Sequence, residues 1–267
     1  MTLMRQTESQ RKSLLLRYSK ELDPYFSLSR FKRFMKCSMC YGLIYRVKLV
    51  PVPNVYMLRG SIVHGAIECM SKEQKFDLSR MLEYSIVKER AKYLFTETAS
   101  AISSKVWEQA YDMAQMILIQ MTPEFKNVIL AGQFTEEEVV VERIPPNGIK
   151  PYLVLAYIDM VIVHNGVAQI IDWKTDREPL PQEHLLQGSL YCALWEQLYG
   201  VRAKWNLGYL QNRQFQRGTT ITPESTWGIA DKMVENIRRE QWSSDLSACD
   251  KPWSCEMKKF CPAKSVL

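Results

Sequence analysis

Two apolar runs that end in charge constrain this chain more than any other feature. Residues 152–163 are almost wholly apolar yet carry Asp159. His164-Asn165-Gly166 follows with turn chemistry, and a second run, 167–174, ends in Asp172-Trp173-Lys174. Runs this continuous belong to strands buried on both faces, and the turn residues join them as a pair. Two carboxylates and a lysine at the edge of such strands are costly to desolvate without partners. A divalent cation meets that need: the carboxylates bind it, and the lysine handles an anion or a water.

The rest of the chain supplies a scaffold of ordinary composition. With 267 residues, 46% hydrophobic and 24% charged, it suits one large domain with a helical elaboration. The net charge of +6 favours an anionic partner such as nucleic acid. No stretch approaches the roughly 18 apolar residues of a membrane span. The first 21 residues lack the apolar core of a signal peptide, so a reducing, cytoplasmic or nucleoid-associated setting is expected. The seven cysteines then read as ligands or buried thiols, with Cys69 and Cys192 in helical patterns as inert ones. No phosphate-binding loop motif appears, so any unwinding of duplex must come from a partner.

In order, residues 1–22 read as a polar helix, and a second helix starts near Ser27 or Ser29. Lys32, Arg33 and Lys36 make that second helix basic: a solvated face, or a contact with phosphate. Arg59-Gly60-Ser61 is expected to open a further helix with Ser61 as cap, placing His64 and Glu68 on one face. Residues 77–98 and 101–121 give two longer helices with core-forming stripes. Strands are expected from Phe134 through Glu142, at 152–163 and at 167–174, then a helix at 182–199 carrying Gln187 and Tyr191 on one face. A hairpin at 203–211 and 215–221 and a last helix capped by Thr222 complete the core. The tail, 243–267, holds Cys249, Cys255 and Cys261 and is better cluster or metal material than core.

These motifs together resemble the PD-(D/E)XK nuclease superfamily, in its RecB-like exonuclease branch. Ser61-Ile62-Val63-His64 is similar to the family's early histidine motif. Ala156-Tyr157-Ile158-Asp159 is similar to its Gly-x-Ile-Asp, with Ala for Gly. Ile171-Asp172-Trp173-Lys174-Thr175 and Gln187-Gly188-Ser189-Leu190-Tyr191 match the two later motifs. Members with an iron–sulfur cluster place one cysteine before the core and three after it. Cys37, followed by Ser38 where proline is usual, and Cys249, Cys255 and Cys261 resemble that set, with Cys40 a competing ligand.

The resemblance implies an α/β restriction-endonuclease-like core, a mixed sheet flanked by helices. Residues 1–132 would form a helical lobe, 133–241 the nuclease core and 242–267 a cysteine-rich tail packed back on the N-terminal part, all one domain. It implies Mg²⁺ or Mn²⁺ held by His64, Asp159, Asp172 and the backbone carbonyl of Trp173, with Asp159, Asp172 and Lys174 catalytic. Gln187, Tyr191, Thr175 and Arg177 would bind substrate, and Glu142 would be an extra carboxylate. Cys37, Cys249, Cys255 and Cys261 would hold a [4Fe–4S] cluster or, alternatively, a structural Zn²⁺. Tyr41, Tyr45, Tyr56 and Trp107 are candidates to stack bases. The activity implied is a DNA exonuclease working from ends in recombination, repair or degradation, with a helicase partner or a ring of subunits possible in the family. A structure-selective or sequence-specific endonuclease and a non-catalytic DNA-binding or assembly protein remain alternatives.

Overall fold

The computed structural model describes residues 5–49, 52–93, 102–146, 148–175, 181–240 and 261. Six strands form one mixed sheet: β1 (Phe26–Ser27), β2 (Phe134–Arg143), β3 (Tyr152–His164), β4 (Val167–Lys174), β5 (Ala203–Tyr209) and β6 (Gln214–Arg217). Their order is β1-β3-β4-β5-β6, with β2 also paired to β3. The β3–β4 hairpin closes where sequence reading expects it. His164 pairs with Val167, and Asn165 (φ 49°) and Gly166 (φ 72°) supply the two left-handed positions of a tight hairpin turn. β4 and β5 run parallel, joined through helix α8 (Pro181–Tyr199).

Helices cover both faces. On one side α8 and α9 (Pro223–Arg238) bury Trp195, Leu194 and Val234 with Val139, Ile158, Val161 and Ile170 of the sheet. On the other side α4 (Val55–Glu73), α5 (Leu78–Ala91), α6 (Ser104–Ile119) and α7 (Pro123–Leu130) enclose Met160, Ile171 and Trp173. Near the N-terminus, α1 (Glu8–Arg17) lies along β2, followed by α2 (Leu28–Lys36) and the short α3 (Ser38–Tyr41). Among the described residues no helix is long and apolar enough to cross a membrane.

Three local readings differ from expectation. α4 starts at Val55 rather than near Ser61, because the Asn54 side chain accepts from the amides of Tyr56 and Met57 and caps it about two turns earlier. The second helix breaks at Cys37, whose extended backbone (φ −166°, ψ 111°) ends α2, and a π-helical turn at Gly42–Arg46 follows α3. β6 stops at Arg217, short of the expected hairpin arm.

Two glycines set how closely the layers approach. A Cβ on Gly188 of α8 would lie 1.9 Å from the Trp205 ring of β5. One on Gly208 of β5 would lie 2.4 Å from the Trp173 ring. Trp173 also meets the rings of Phe125 and Phe215, each with centroids 5.8 Å away. These contacts pin the C-terminal end of β4, where the charged residues sit.

Candidate active site

The strand registers bring the carboxylates together. β2 and β3 pair at Thr135↔Met160 and Glu137↔Ile158, so Glu136 stands opposite Asp159. β3 and β4 pair at Met160↔Ile171, and the same register carried one step further puts Asp159 opposite Asp172. Glu136, Asp159 and Asp172 therefore form one row across three strands. The row is also where the sheet is irregular. Glu136 takes a left-handed conformation (φ 50°) inside a strand, a strain of order 1 kcal/mol or more that gathers at functional sites. The apolar alternation of β3 slips there too: Ile158 and Val161, three residues apart, both enter the layer under α8, while Met160 enters the other. Asp159 thus stands between the two layers.

From α4, His64 reaches this row. Its Nδ1 lies 3.3 Å from Asp159 Oδ1 and 3.8 Å from Glu136 Oε1. Asp159 Oδ2 accepts from the Trp173 N–H at 2.8 Å. One ligand atom from each of His64, Glu136 and Asp159 falls within 4.8 Å of the others. Burial raises the Asp159 carboxyl above its usual range; His64 opposes that, and Asp172 and Glu136 add to it. Burial pulls His64 down, but Asp159 and Glu136 outweigh it and hold the imidazole well above its ordinary value. Crowded, half-buried carboxylates with one imidazole are a donor set that fits a divalent cation, with the buried Asp172 next in the row. A cavity of about 310 Å³ opens beside it, lined by Gly60, Ser61, Lys88 and Lys92 among others.

Asp172 is engaged on the α8 side. Lys174 Nζ lies 2.5 Å from Asp172 Oδ2, and both side chains are largely buried, so the pair is not the exposed ion pair of a solvated strand end. Gln187 Nε2 donates to Asp172 Oδ1 at 3.0 Å and to the Tyr191 hydroxyl at 3.1 Å. Gln187 Oε1 accepts from Lys174 Nζ at 3.3 Å and from Lys32 Nζ at 2.8 Å. His184 Nδ1 lies 3.3 Å from the same oxygen. Burial, then Lys174 and Lys32, push His184 down to about 4, so it is neutral at pH 7. Burial, then the Asp172 and Asp159 charges, push the Tyr191 phenol well up, so it stays protonated.

The structure therefore gathers His64, Asp159, Asp172, Lys174, Gln187 and Tyr191 at one end of the sheet. Thr175 is near but committed: Arg59 Nη2 donates to its carbonyl at 3.0 Å and lies 3.3 Å from its Oγ1, and Gln211 also donates to the carbonyl. Arg177, Cys249 and Cys255 lie outside the described residues. Glu142 sits at the other end of β2, accepting from Arg17 at 3.1 Å and from the Tyr18 hydroxyl at 2.5 Å. The extra carboxylate in the row is Glu136. Glu68 is turned away from His64 and pairs with Lys72 and Lys88. Tyr41 and Trp107 are buried in the core, whereas Tyr56 is 62% exposed. Cys37, Cys40, Cys69, Cys192 and Cys261 are all buried; burial raises the Cys192 thiol to about 12.

Sequence reading did not assign Glu136 or His184 to the site, and gave Lys32 only as part of a basic helix face that is solvated or touches phosphate. Glu136 is the first of three consecutive glutamates, and only the strand register distinguishes it. Lys32 and His184 come from helices 152 residues apart and meet only in the fold.

Fold and site together define a class: α/β proteins in which antiparallel strands deliver two aspartates and an Asp-x-Lys lysine to one end of a mixed sheet. The chain belongs to the PD-(D/E)XK nuclease superfamily, whose family model matches residues 25–266. It is thus a nuclease-superfamily member, a family that uses divalent metals and takes DNA as substrate. Among solved structures it is similar to a "Putative exonuclease" from Eubacterium rectale, at 15% identity and a TM-score of 0.55, covering 97% of this chain and 99% of that one. A second, SSO0001, aligns at 19% identity and a TM-score of 0.39, over 89% of this chain and 97% of that one. No curated protein matches by sequence.

Proposed function

We propose that this protein is a metal-dependent deoxyribonuclease that hydrolyses phosphodiester bonds from DNA ends. The observation that carries the reading is the carboxylate row Glu136–Asp159–Asp172, flanked by His64 on one side and Lys174 on the other. His64, Glu136, Asp159 and Asp172, with the Trp173 carbonyl, would hold Mg²⁺ or Mn²⁺. When bound, the metal lowers the pKa of water and neutralises charge on the scissile phosphate. Lys174, at the rim of the row, orients the attacking water or meets the charge that develops on the phosphate. Gln187 and Tyr191 present neutral polar groups to the same space and align the strand. Arg177 would touch the phosphate backbone, and so would Thr175 once its hydroxyl exchanges Arg59 for a phosphate oxygen. Tyr56 is the exposed candidate among the aromatics to stack a base. The end-directed part of the reading draws on the name of the Eubacterium rectale protein.

A second cofactor is proposed at the N-terminal lobe: a [4Fe–4S] cluster on Cys37, Cys249, Cys255 and Cys261, closing the tail over α2. The burial of Cys37 and Cys261 supports it. Iron and sulfide content and visible absorbance of anaerobically purified protein test it; zinc in their place assigns the alternative.

The activity test compares end-labelled single-stranded, linear duplex and closed circular DNA with Mn²⁺ or Mg²⁺. Wild type should degrade the linear substrates and spare the circle, and Asp172→Ala and Lys174→Ala should each lose at least about 10³-fold. Cutting of circles moves the reading to endonuclease. DNA binding without cleavage by a folded, metal-loaded wild type overturns the enzyme reading in favour of an assembly role.

A further inference from the structure

We infer that Lys32 is a positioning residue for the active site, acting through Gln187. The inference rests on the proposed nuclease reading and adds a residue from the N-terminal lobe to it. Lys32 lies in the middle of α2, whose start is fixed by the Ser27 side chain accepting from the Arg30 amide at 3.3 Å. Its ammonium crosses to α8 and donates to Gln187 Oε1 at 2.8 Å, the shortest contact that Gln187 makes among the described residues.

Gln187 has two chemically opposite ends, and its orientation decides what Asp172 meets. The carboxylate of Asp172 only accepts, and the ammoniums of Lys32 and Lys174 only donate. The observed orientation satisfies all three: the amide NH₂ faces Asp172 and Tyr191, and the carbonyl faces both lysines. A flipped amide would set its carbonyl against Asp172 and its NH₂ against two ammoniums. Lys174 alone holds this orientation weakly. Its contact with Gln187 is 3.3 Å, and its closer partner is Asp172 at 2.5 Å. When Lys174 turns toward a phosphate, Lys32 remains to hold the carbonyl. His184 closes the other side at 3.3 Å from the same oxygen and 3.5 Å from Lys32 Nζ. Lys32 thus keeps the Asp172 carboxylate supplied with a donor through the reaction and frees Lys174 for chemistry.

A double-mutant cycle on full-length protein tests this, with Lys32→Met, Gln187→Met and the double variant. Lys32→Met should lower kcat by about 10- to 100-fold while the DNA Kd changes by less than about threefold. Lys32→Arg should recover most of the loss. The double variant should be no slower than Gln187→Met, because both changes remove one device. Independent, multiplying losses overturn the inference, as does a weakened DNA Kd with kcat intact, which makes Lys32 a phosphate contact. Melting temperatures confirm that each variant is folded; if Lys32→Met is not, Lys32→Gln takes its place. If the wild type cleaves nothing, the nuclease reading fails by itself. The same cycle is then read on Mn²⁺ affinity by calorimetry, where additivity overturns the positioning role and coupling sustains it.

Discussion

At the scale of single residues, the candidate site is a set of buried and half-buried charges made tolerable by one another. Asp172 has Lys174 and Gln187; Asp159 has His64 and the Trp173 amide. His184 is the odd member, a neutral imidazole held beside two lysines. Its folded value is depressed to about 4, below the 6.5 of a free side chain. Between those values the unfolded chain carries the proton and the folded one does not, so stability falls as pH drops from about 6.5 toward 4. After solvent screening at this half-buried site the loss is of order 1–2 kcal/mol. His184→Gln should remove that part of the acid loss. Urea midpoints of both proteins at pH 7 and 4.5 measure it, and parallel losses would show that His184 titrates normally.

At the scale of elements, the site depends on how closely α8 lies on the sheet. Gly188 follows Gln187 directly and lets the helix backbone rest on the Trp205 ring. A methyl group there meets ring carbons on a fully buried strand residue, so helix or indole must move. Overpacking of this kind costs about 1–3 kcal/mol, which in a chain of this size lowers Tm by several degrees. Gly188→Ala should therefore melt early and lose kcat as Gln187 shifts, a pairing that differential scanning calorimetry and single-turnover cleavage read together. An unchanged Tm would mean that the layers have slack. The same logic explains Gly208, whose missing side chain leaves room for Trp173 and so fixes the strand between Asp172 and Lys174.

At the scale of the whole molecule, the carboxylate row costs stability that a bound cation would return. Glu136, Asp159 and Asp172 are brought together by the sheet although their charges repel, and a bound cation reverses the sign of that interaction. Mn²⁺ at about 100 times its Kd should stabilise the folded state by about 2.7 kcal/mol and raise Tm accordingly. Glu136→Gln should keep the fold, weaken Mn²⁺ binding by about tenfold or more, and shrink the Tm rise. A thermal shift series in EDTA and in Mn²⁺ decides this. Equal shifts in both proteins would remove Glu136 from the ligand set.

The sequence by itself determined most of the elements and most of the residues that the fold gathers at the candidate site. The continuous apolar runs forced buried strands, and Asn165-Gly166 forced the hairpin that sets Asp159 against Asp172. Helical spacing placed Gln187 and Tyr191 on one face of α8, where they hydrogen-bond to each other. These are local consequences of side-chain period and turn chemistry, which a linear pattern records. The start of α4 was less legible, because Asn54 and Ser61 both offer cap chemistry and only packing chooses between them. Tertiary structure alone decided that Glu136, not Glu142, joins the row, since a strand's register depends on its neighbours and on a single left-handed residue. It alone brought Lys32 to Gln187, because contacts between helices 155 residues apart follow from how the layers stack and leave no period in the chain.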